Sequence, residues 1–591
     1  MLEQRNLVLA VLLSVAIIVG FEFLTPKPPA PTPEEIARQQ QVEATTTPGT
    51  ASGGVPGAGV AANGAPIPGA GPASVANALA ITAARNEAVA KSPRIAFDNG
   101  RIHGSISKIG ARIDDLTLVD YRETVDPTSA NIVMLSPTGA ANPYYADFGW
   151  TTAPGATVKV PTPSTAWQAS HNSLTHNTPV TLTWDNGEGL VFQRKISLDE
   201  NFMFTINDSV INNSTAAVTL FPYGLVSRLN TPTTTGFYIL HEGPLGVLND
   251  TLTEIDYEDV VDAGRIPHKS TGGWIGITDK YWLTALIPNQ KSEFEASFNH
   301  AAPNKADKYQ VDFLQNGRTI AAKSSTEVTN QLFAGAKEVH LLDRYEETIG
   351  VKRFDLAVDF GWFYFLTKPF FYAIDWFYKL LGNFGLAILA LTVCVRIVFF
   401  PLANKSFKAM TAMKKLQPEI KKLREQYGDD RTRMNQAMME LYKKEKANPM
   451  AGCLPIALQI PVFFSLYKVL FVSIEMRHAP FYGWISDLSA QDPTTIINLF
   501  GLVPWTPPAY IPALGIWPII MGLTMFLQQK LNPQPADPLQ AKIFMFLPIM
   551  FTFMLASFPA GLVIYWSWNN ALSMAQQYLI MKRAGVPIGG K

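Results

Sequence analysis

The C-terminal part of this chain carries five long, mostly apolar runs, at about 384–402, 451–472, 509–528, 542–558 and 562–580. A helix needs ~17–25 apolar residues to cross a bilayer. Lipid offers no partner for backbone N–H and C=O groups, so such runs must be helical if they span. A sixth run, Leu7 to Leu24, follows Arg5 and is interrupted only late, by Glu22. No small-x-small cleavage pattern occurs at Phe21-Glu22-Phe23-Leu24-Thr25-Pro26, so residues 1–24 read as a retained signal anchor. The chain is therefore expected to have six transmembrane helices. Only 16% of residues are charged while 47% are hydrophobic, a low charge content for a soluble protein. Net charge is zero, so the overall balance names no partner.

The remaining chain divides by composition. Residues 25–90, with Pro28-Pro29-Ala30-Pro31-Thr32-Pro33, are too poor in core-forming residues to fold and read as a flexible linker. Residues 91–350 show short alternations and turn signals with no long helical period. Thr181-Leu182-Thr183-Trp184 and Leu190-Val191-Phe192 flank Asp185-Asn186-Gly187-Glu188-Gly189, which predicts a hairpin. Phe202-Met203-Phe204-Thr205-Ile206 then runs to a turn at Asn212-Asn213-Ser214. This is a large all-β domain. Residues 351–381 are rich in aromatics but interrupted by Lys368, Asp375 and Lys379, which suits an amphipathic helix at the membrane interface. Residues 382–581 hold the five apolar runs, and 582–591 form a short tail.

Loop charges set the orientation. The segment 404–448 carries twelve Lys and Arg against six Asp and Glu, so it belongs in the cytoplasm. The tail, with Lys582, Arg583 and Lys591, belongs there too. The loop 473–508 has Arg477 as its sole basic residue and belongs outside. Counting back, the β domain is periplasmic and the N-terminus cytoplasmic.

Arg396 lies inside Leu391-Thr392-Val393-Cys394-Val395-Arg396-Ile397-Val398. A charge at that depth costs at least ~2.5–3.5 kcal/mol on insertion scales, so it should face a polar cavity. Snorkelling to headgroups competes with that reading, because Pro401 follows within about a turn. Neutral polar residues in other runs, namely Gln459, Asn569 and Asn570, favour the cavity; interhelical hydrogen bonding is an equal alternative for the two asparagines. The five runs contain no evident Asp or Glu, which argues against a proton relay. Lys468 lies nearer its run's end and reads as snorkelling.

The cytoplasmic segment 404–448 reads as a helical hairpin. Phe407, Met410, Met413, Leu416, Ile420, Leu423 and Tyr427 step along one helical face. Gly428-Asp429-Asp430 breaks it, an Asp caps the next helix, and Met434, Met438, Leu441 and Tyr442 continue on the second arm. Such a stripe is most simply a coiled-coil seam. Its methionines, Met410, Met413, Met434 and Met438 with Met439 and Met450, also suit contact with varied apolar partners. Cys394 and Cys453 read as small buried residues, with no disulfide framework. No P-loop, nucleophile elbow or metal-spaced histidine pair occurs, so neither an enzyme nor a cofactor is expected. Seven of the eight histidines fall in the β domain, in ordinary polar surroundings.

Long ordered motifs carry a resemblance. Gly382-Asn383-Phe384-Gly385, Arg396, Gly428-Asp429-Asp430, Asn448-Pro449-Met450-Ala451-Gly452-Cys453-Leu454-Pro455, Ala479-Pro480-Phe481, Asp487-Leu488-Ser489-Ala490-Gln491-Asp492-Pro493 and Phe558-Pro559-Ala560-Gly561-Leu562 stand in sequence. The chain resembles the YidC-type membrane protein insertases of Gram-negative bacteria over nearly its whole length. The resemblance implies a β-supersandwich outside an α-helical membrane bundle. It implies a hydrophilic groove, open to cytoplasm and lipid and closed outward, with Arg396 as its arginine. Thr392, Gln459 and Phe463 match neighbouring groove or substrate-contact positions. Tyr565 and Trp566 match an aromatic contact pair in which close relatives usually have a second tyrosine. The implied function is to insert, fold and help assemble inner-membrane proteins, as insertase and chaperone, alone or with the Sec translocon. Nascent membrane proteins, lipid, and the ribosome and signal recognition machinery are the implied partners, and DNA is not. The tail is too short to expect ribosome contact through it, and Trp505-Thr506-Pro507-Pro508 marks an extended outer loop. A secondary transporter or channel is the alternative. It predicts intramembrane carboxylates or an inverted repeat, and the sequence displays neither.

Overall fold

Period-two burial organises the first half of the structure. In Leu190–Leu198 and in Met203–Asn212, alternate side chains are buried, so each strand presents one face to a core. The computed structural model describes residues 85–234, 240–428, 430–445, 454–496, 499, 514–532 and 538–585. These belong to one compact unit. The expected anchor, the linker up to residue 84, Met450, Cys453, the Trp505–Pro508 loop and the last residues of the tail lie outside them.

Two sheets, of eleven and nine strands, make a sandwich. Val180–Asp185 pairs with Leu190–Leu198 across the expected hairpin turn, and Leu190–Leu198 pairs with Met203–Asn212. The next partner of Met203–Asn212 is remote in sequence, Ser324–Ala336. Aromatic side chains lock the sheets together: Phe97 of one meets Phe204 of the other edge-on, with centroids 5.3 Å apart. Gly335 is forced by this packing, because a Cβ there would lie 2.3 Å from the Phe202 ring.

The β region also contains helices that its sequence pattern does not announce. After α1 (Arg85–Ala90) come α2 (Tyr257–Ala263) and α3 (Val339–Ile349). The first two are six and seven residues long, too short to display a clear period against the surrounding alternation. Within 351–381, where an interfacial helix is expected, the structure has α4 (Tyr364–Leu381), preceded by a 3-10 turn at Phe354–Ala357. Its charges pair within the protein. Lys368 pairs with Asp343 and Asp355 at 2.9 and 2.7 Å, and Asp375 pairs with His340 and Lys379 at 3.0 and 2.7 Å. Its outward face is apolar, with Phe365 74% and Trp376 61% exposed and Trp362 just ahead of it 98% exposed.

The Gly382-Asn383-Phe384-Gly385 motif builds the next corner. Gly382 ends α4 in the left-handed conformation at φ 68°. Asn383 caps α5 (Phe384–Tyr427), accepting from the Leu386 amide at 3.1 Å, and donates to the Pro480 carbonyl at 3.2 Å. Gly385 makes room for Phe481, whose ring would lie 2.0 Å from a Cβ. One motif thus joins two helices to the Ala479-Pro480-Phe481 loop.

Helix α5 departs from expectation. It runs 44 residues without a break through Pro401 and Pro418, so the expected span and the first hairpin arm are a single helix. Each proline removes one backbone donor; Leu416, Gln417 and Glu419 favour helix around Pro418, and a proline in an apolar run such as Pro401 is tolerated where neighbouring groups satisfy the freed carbonyl. The second arm is α6 (Arg431–Lys444), capped by Asp430, which accepts from the Arg433 amide at 3.1 Å. Then follow α7 (Leu454–Val472), α8 (Ile516–Leu531), α9 (Pro538–Leu555) and α10 (Ala560–Arg583). Helix α8 begins later than the expected residue 509 because its N-terminus is fixed by Thr494 and Asp492. These accept from the amides of Ile516 and Trp517 at 3.0 and 2.9 Å. Among the described residues, α5 is the one helix long and apolar enough by itself to cross a membrane; shorter apolar helices cover Gln459–Val472 and Ala541–Leu555.

Candidate functional site

Helix α10 packs along α8 and against α5, which brings the polar residues of three helices together. Arg396, on α5, reaches Asn569 on α10. Its Nε donates to Asn569 Oδ1 at 2.9 Å, and its Nη2 donates to the same oxygen at 2.6 Å and to the Asn569 carbonyl at 3.0 Å. Nη2 also donates to Ser573 Oγ. Among the described residues no carboxylate pairs with Arg396. The guanidinium is therefore solvated by neutral oxygens, and it is turned inward instead of snorkelling toward Pro401.

One turn toward the start of α10, Tyr565 is buried and its hydroxyl accepts from Gln459 Nε2 on α7. Trp566, half-buried, meets Phe463 edge-on with centroids 4.7 Å apart, and Phe551 lies 6.1 Å from it. Asn569 thus holds Arg396 directly, Tyr565 one turn away on the same helix carries Gln459, and Trp566 beside it carries Phe463. Thr392 stays apart chemically: it is buried, and its hydroxyl donates to the Ile388 carbonyl of its own helix at 2.7 Å. Ser573 was missed by sequence reasoning, although it lies four residues after Asn569 and so on the same face. Asn570 and Gln577 stitch α10 to α8, donating to Thr524 and Asn532 at 3.2 Å each.

Backbone hydrogen bonds tie the start of α10 to the loop before α8. The amides of Ala560 and Gly561, which open α10, donate to the carbonyls of Ala490 and Leu488 at 2.7 and 3.0 Å. Asp492 is buried and accepts from Trp484 Nε1, Thr494 and the Trp517 amide. Two sequence motifs, around Asp487–Pro493 and Phe558–Leu562, are thereby one structural unit.

Several expectations are corrected. Lys468 does not snorkel: its ammonium pairs with Asp359 of the segment before α4 at 2.7 Å. Cys394 is exposed on α5 rather than buried, a position open to an apolar thiol where a helix faces lipid. Met410 is not on an open face. It sits in a small core with Ala403 and Phe407, against Ile580 of α10. Met413, Met434 and Met438 are half-buried. Between the hairpin arms lies a cleft of about 520 Å³ lined in part by Leu423, Tyr427 and Leu441.

One acid helps key the bundle to the β domain. Glu475, just beyond α7, accepts the Val339 amide at the start of α3 at 2.9 Å. Its other oxygen is buried with no hydrogen-bond partner among the described residues. Burial pushes this carboxyl up to about 7. Nearby, Arg477 donates to the Arg122 and Glu123 carbonyls at 2.6 and 3.2 Å.

A two-sheet β domain joined to a helix bundle that holds an inward arginine among neutral partners defines a distinct class of protein, and comparison identifies which. Residues 94–373 match the family model described as the YidC periplasmic domain, and residues 376–585 match the 60Kd inner membrane protein model. The membrane protein insertase YidC of Methylorubrum extorquens is 50% identical over 99% of this chain and 96% of its own length. That of Bradyrhizobium diazoefficiens is 50% identical over 100% of this chain and 97% of its own. A crystal structure of a YidC insertase with its first transmembrane domain resolved aligns over 83% of this chain and 93% of that one, at 15% identity and a TM-score of 0.35. The chain belongs to the YidC family of membrane protein insertases, with a periplasmic domain and an inner-membrane part.

Proposed function

We propose that this protein inserts membrane proteins into the bacterial inner membrane, acting from the pocket around Arg396. The reading extends to six spans, both termini in the cytoplasm, and a groove open to cytoplasm and lipid. It includes a chaperone role in folding and assembly, alone or beside the Sec translocon. The observation that carries it is the neutral company of Arg396. A half-buried cation without a carboxylate keeps its field for something else. An acidic segment of a nascent protein, entering such a polar groove, loses less solvation than in bare lipid. The substrate's apolar helix then moves into lipid, where each buried CH₂ contributes about 0.8 kcal/mol. No nucleotide hydrolysis is needed for that step. The hairpin α5–α6 meets the substrate first, through Met413, Met434 and Met438, and α4 anchors the assembly by its apolar face.

The test is reconstitution of the full chain into liposomes with a short single-span substrate bearing an acidic outer tail. Insertion above the protein-free rate is expected; its absence sinks the proposal. Arg396→Ala should impair the acidic-tailed substrate more than a neutral-tailed one.

A further inference from the structure

The way Arg396 is held goes beyond its being half-buried. A guanidinium has five N–H donors in one plane. The Nε donor and those of Nη2 are engaged by the side-chain and main-chain oxygens of Asn569 and by Ser573. Ser573 spends its single hydroxyl proton on the Asn569 carbonyl at 2.8 Å, so only its lone pairs face the arginine. Asn569 and Ser573 are themselves buried, at 8% and 2% exposure, which fixes their geometry. The donors of Nη1 meet no acceptor among the described residues. Every partner is neutral, so the clamp orients the cation without cancelling it. Without a clamp, a long cationic side chain this close to Pro401 would swing along its helix toward the headgroups.

We propose that Asn569 is a positioning residue: it grips one edge of the Arg396 guanidinium and leaves Nη1 to receive a carboxylate of the passing substrate. The inference rests on the insertase reading above and deepens it. It also predicts that acidic side chains are recognised by charge and by a donor on a single nitrogen.

The experiment uses the full chain in liposomes and two single-span substrates that differ only in tail, Asp and Glu against Asn and Gln. The readout is the ratio of acidic-tail to neutral-tail insertion for wild type, Arg396→Ala, Asn569→Asp and Asn569→Ala. Asn569→Asp keeps the shape and the acceptor but puts a carboxylate against the guanidinium. It should lower the ratio as far as Arg396→Ala does, by roughly tenfold, the worth of one charge-assisted hydrogen bond. Asn569→Ala releases the guanidinium and should lower the ratio by a smaller factor, roughly threefold. A residue with a merely structural role would leave the ratio unmoved, since both substrates would suffer alike. If Arg396→Ala lowers the ratio and both Asn569 variants leave it at the wild-type value, the positioning role is overturned. If Arg396→Ala also leaves it unmoved, the attraction of Arg396 for acidic segments fails, and the positioning role with it. Melting of each variant in detergent separates lost fold from lost selectivity, and Asn569→Ala carries the test should Asn569→Asp fail to fold.

Discussion

Arginines are drawn in from solvent in both halves of this molecule, Arg194 fully and Arg396 by half, in different company. In the β domain, Arg194 pairs with Asp208 at 2.7 Å, and both are almost fully buried. The Ala111 and Phe148 carbonyls complete its shell. Arg112 pairs with Asp147 at 3.1 Å and Arg94 pairs with Asp114. In the bundle, Arg396 has Asn569 and Ser573. A carboxylate partner turns a buried cation into structure, because each charge is then needed by the other. A neutral clamp holds the cation still and leaves its charge unspent. The difference separates a scaffold from a working surface within one chain.

The largest effect should come from breaking a scaffold pair. Arg194→Ala leaves Asp208 buried without its partner and should cost ~3–5 kcal/mol, read as a fall in the melting temperature of the full chain. Replacing both residues by apolar ones of similar volume should recover most of that loss. If Arg194→Ala changed stability by less than ~1 kcal/mol, the contrast would break at its structural end.

Glu475 stands where the two halves meet and follows neither pattern: it is an acid with an amide for company. Its carboxyl titrates near 7 in the folded protein, against an ordinary value of ~4.3. The folded state therefore holds this proton more tightly than the unfolded chain does. The stability it contributes is complete below ~pH 4.3 and is lost as pH rises through about 7, by up to ~1.4 kcal/mol per pH unit. Glu475→Gln keeps an acceptor for the Val339 amide and removes the charge. Its melting curve should match wild type near ~pH 4 and exceed it increasingly up to ~pH 8. Parallel curves across that range would refute a protonated Glu475.

Sequence and structure agree where the signal is local. The hairpin over 181–192 was readable because a turn and two alternating flanks lie together, and Arg396 because a charge interrupts an apolar run. The partners were not readable. Met203–Asn212 pairs with Ser324–Ala336, and Lys468 finds Asp359, only through the folded chain. Glu475 and Asp492 look like solvated loop acids in sequence; burial is a tertiary property that no local pattern encodes. Cys394 misled because an apolar residue was assigned to a protein core, whereas a helix facing lipid can display it outward. Ser573 needed only the i, i+4 step from Asn569, and was overlooked because serine in an apolar run carries little signal. The continuity of α5 through Pro401 shows the reverse error, a local breaker overruled by its neighbours.

The working end of the contrast predicts a smaller stability change with a larger functional one. Arg396→Ala removes a donor from neutral acceptors and orphans no charge, so it should cost about 1–2 kcal/mol, well below the Arg194 variant. Selectivity for acidic tails should fall at the same time. An Arg396→Ala protein destabilised as much as Arg194→Ala would show that the bundle arginine is scaffold after all.

The smallest effect tests whether polar contacts between α8 and α10 belong to the site or to the packing. Asn570 Nδ2 donates to Thr524 Oγ1 at 3.2 Å, and the Thr524 hydroxyl already donates to the Met521 carbonyl at 2.8 Å. Thr524→Val keeps the shape and removes the acceptor. Interhelical hydrogen bonds of this kind contribute about 0.6 kcal/mol on average, because polar groups in the membrane find other partners. A melting shift of that order is expected, with the acidic-to-neutral insertion ratio unchanged, since neither group touches Arg396. A fall in the ratio without a matching loss of stability would extend the working surface from the Asn569 face of α10 to the Asn570 face. The line between scaffold and site would then run through α8, not along α10.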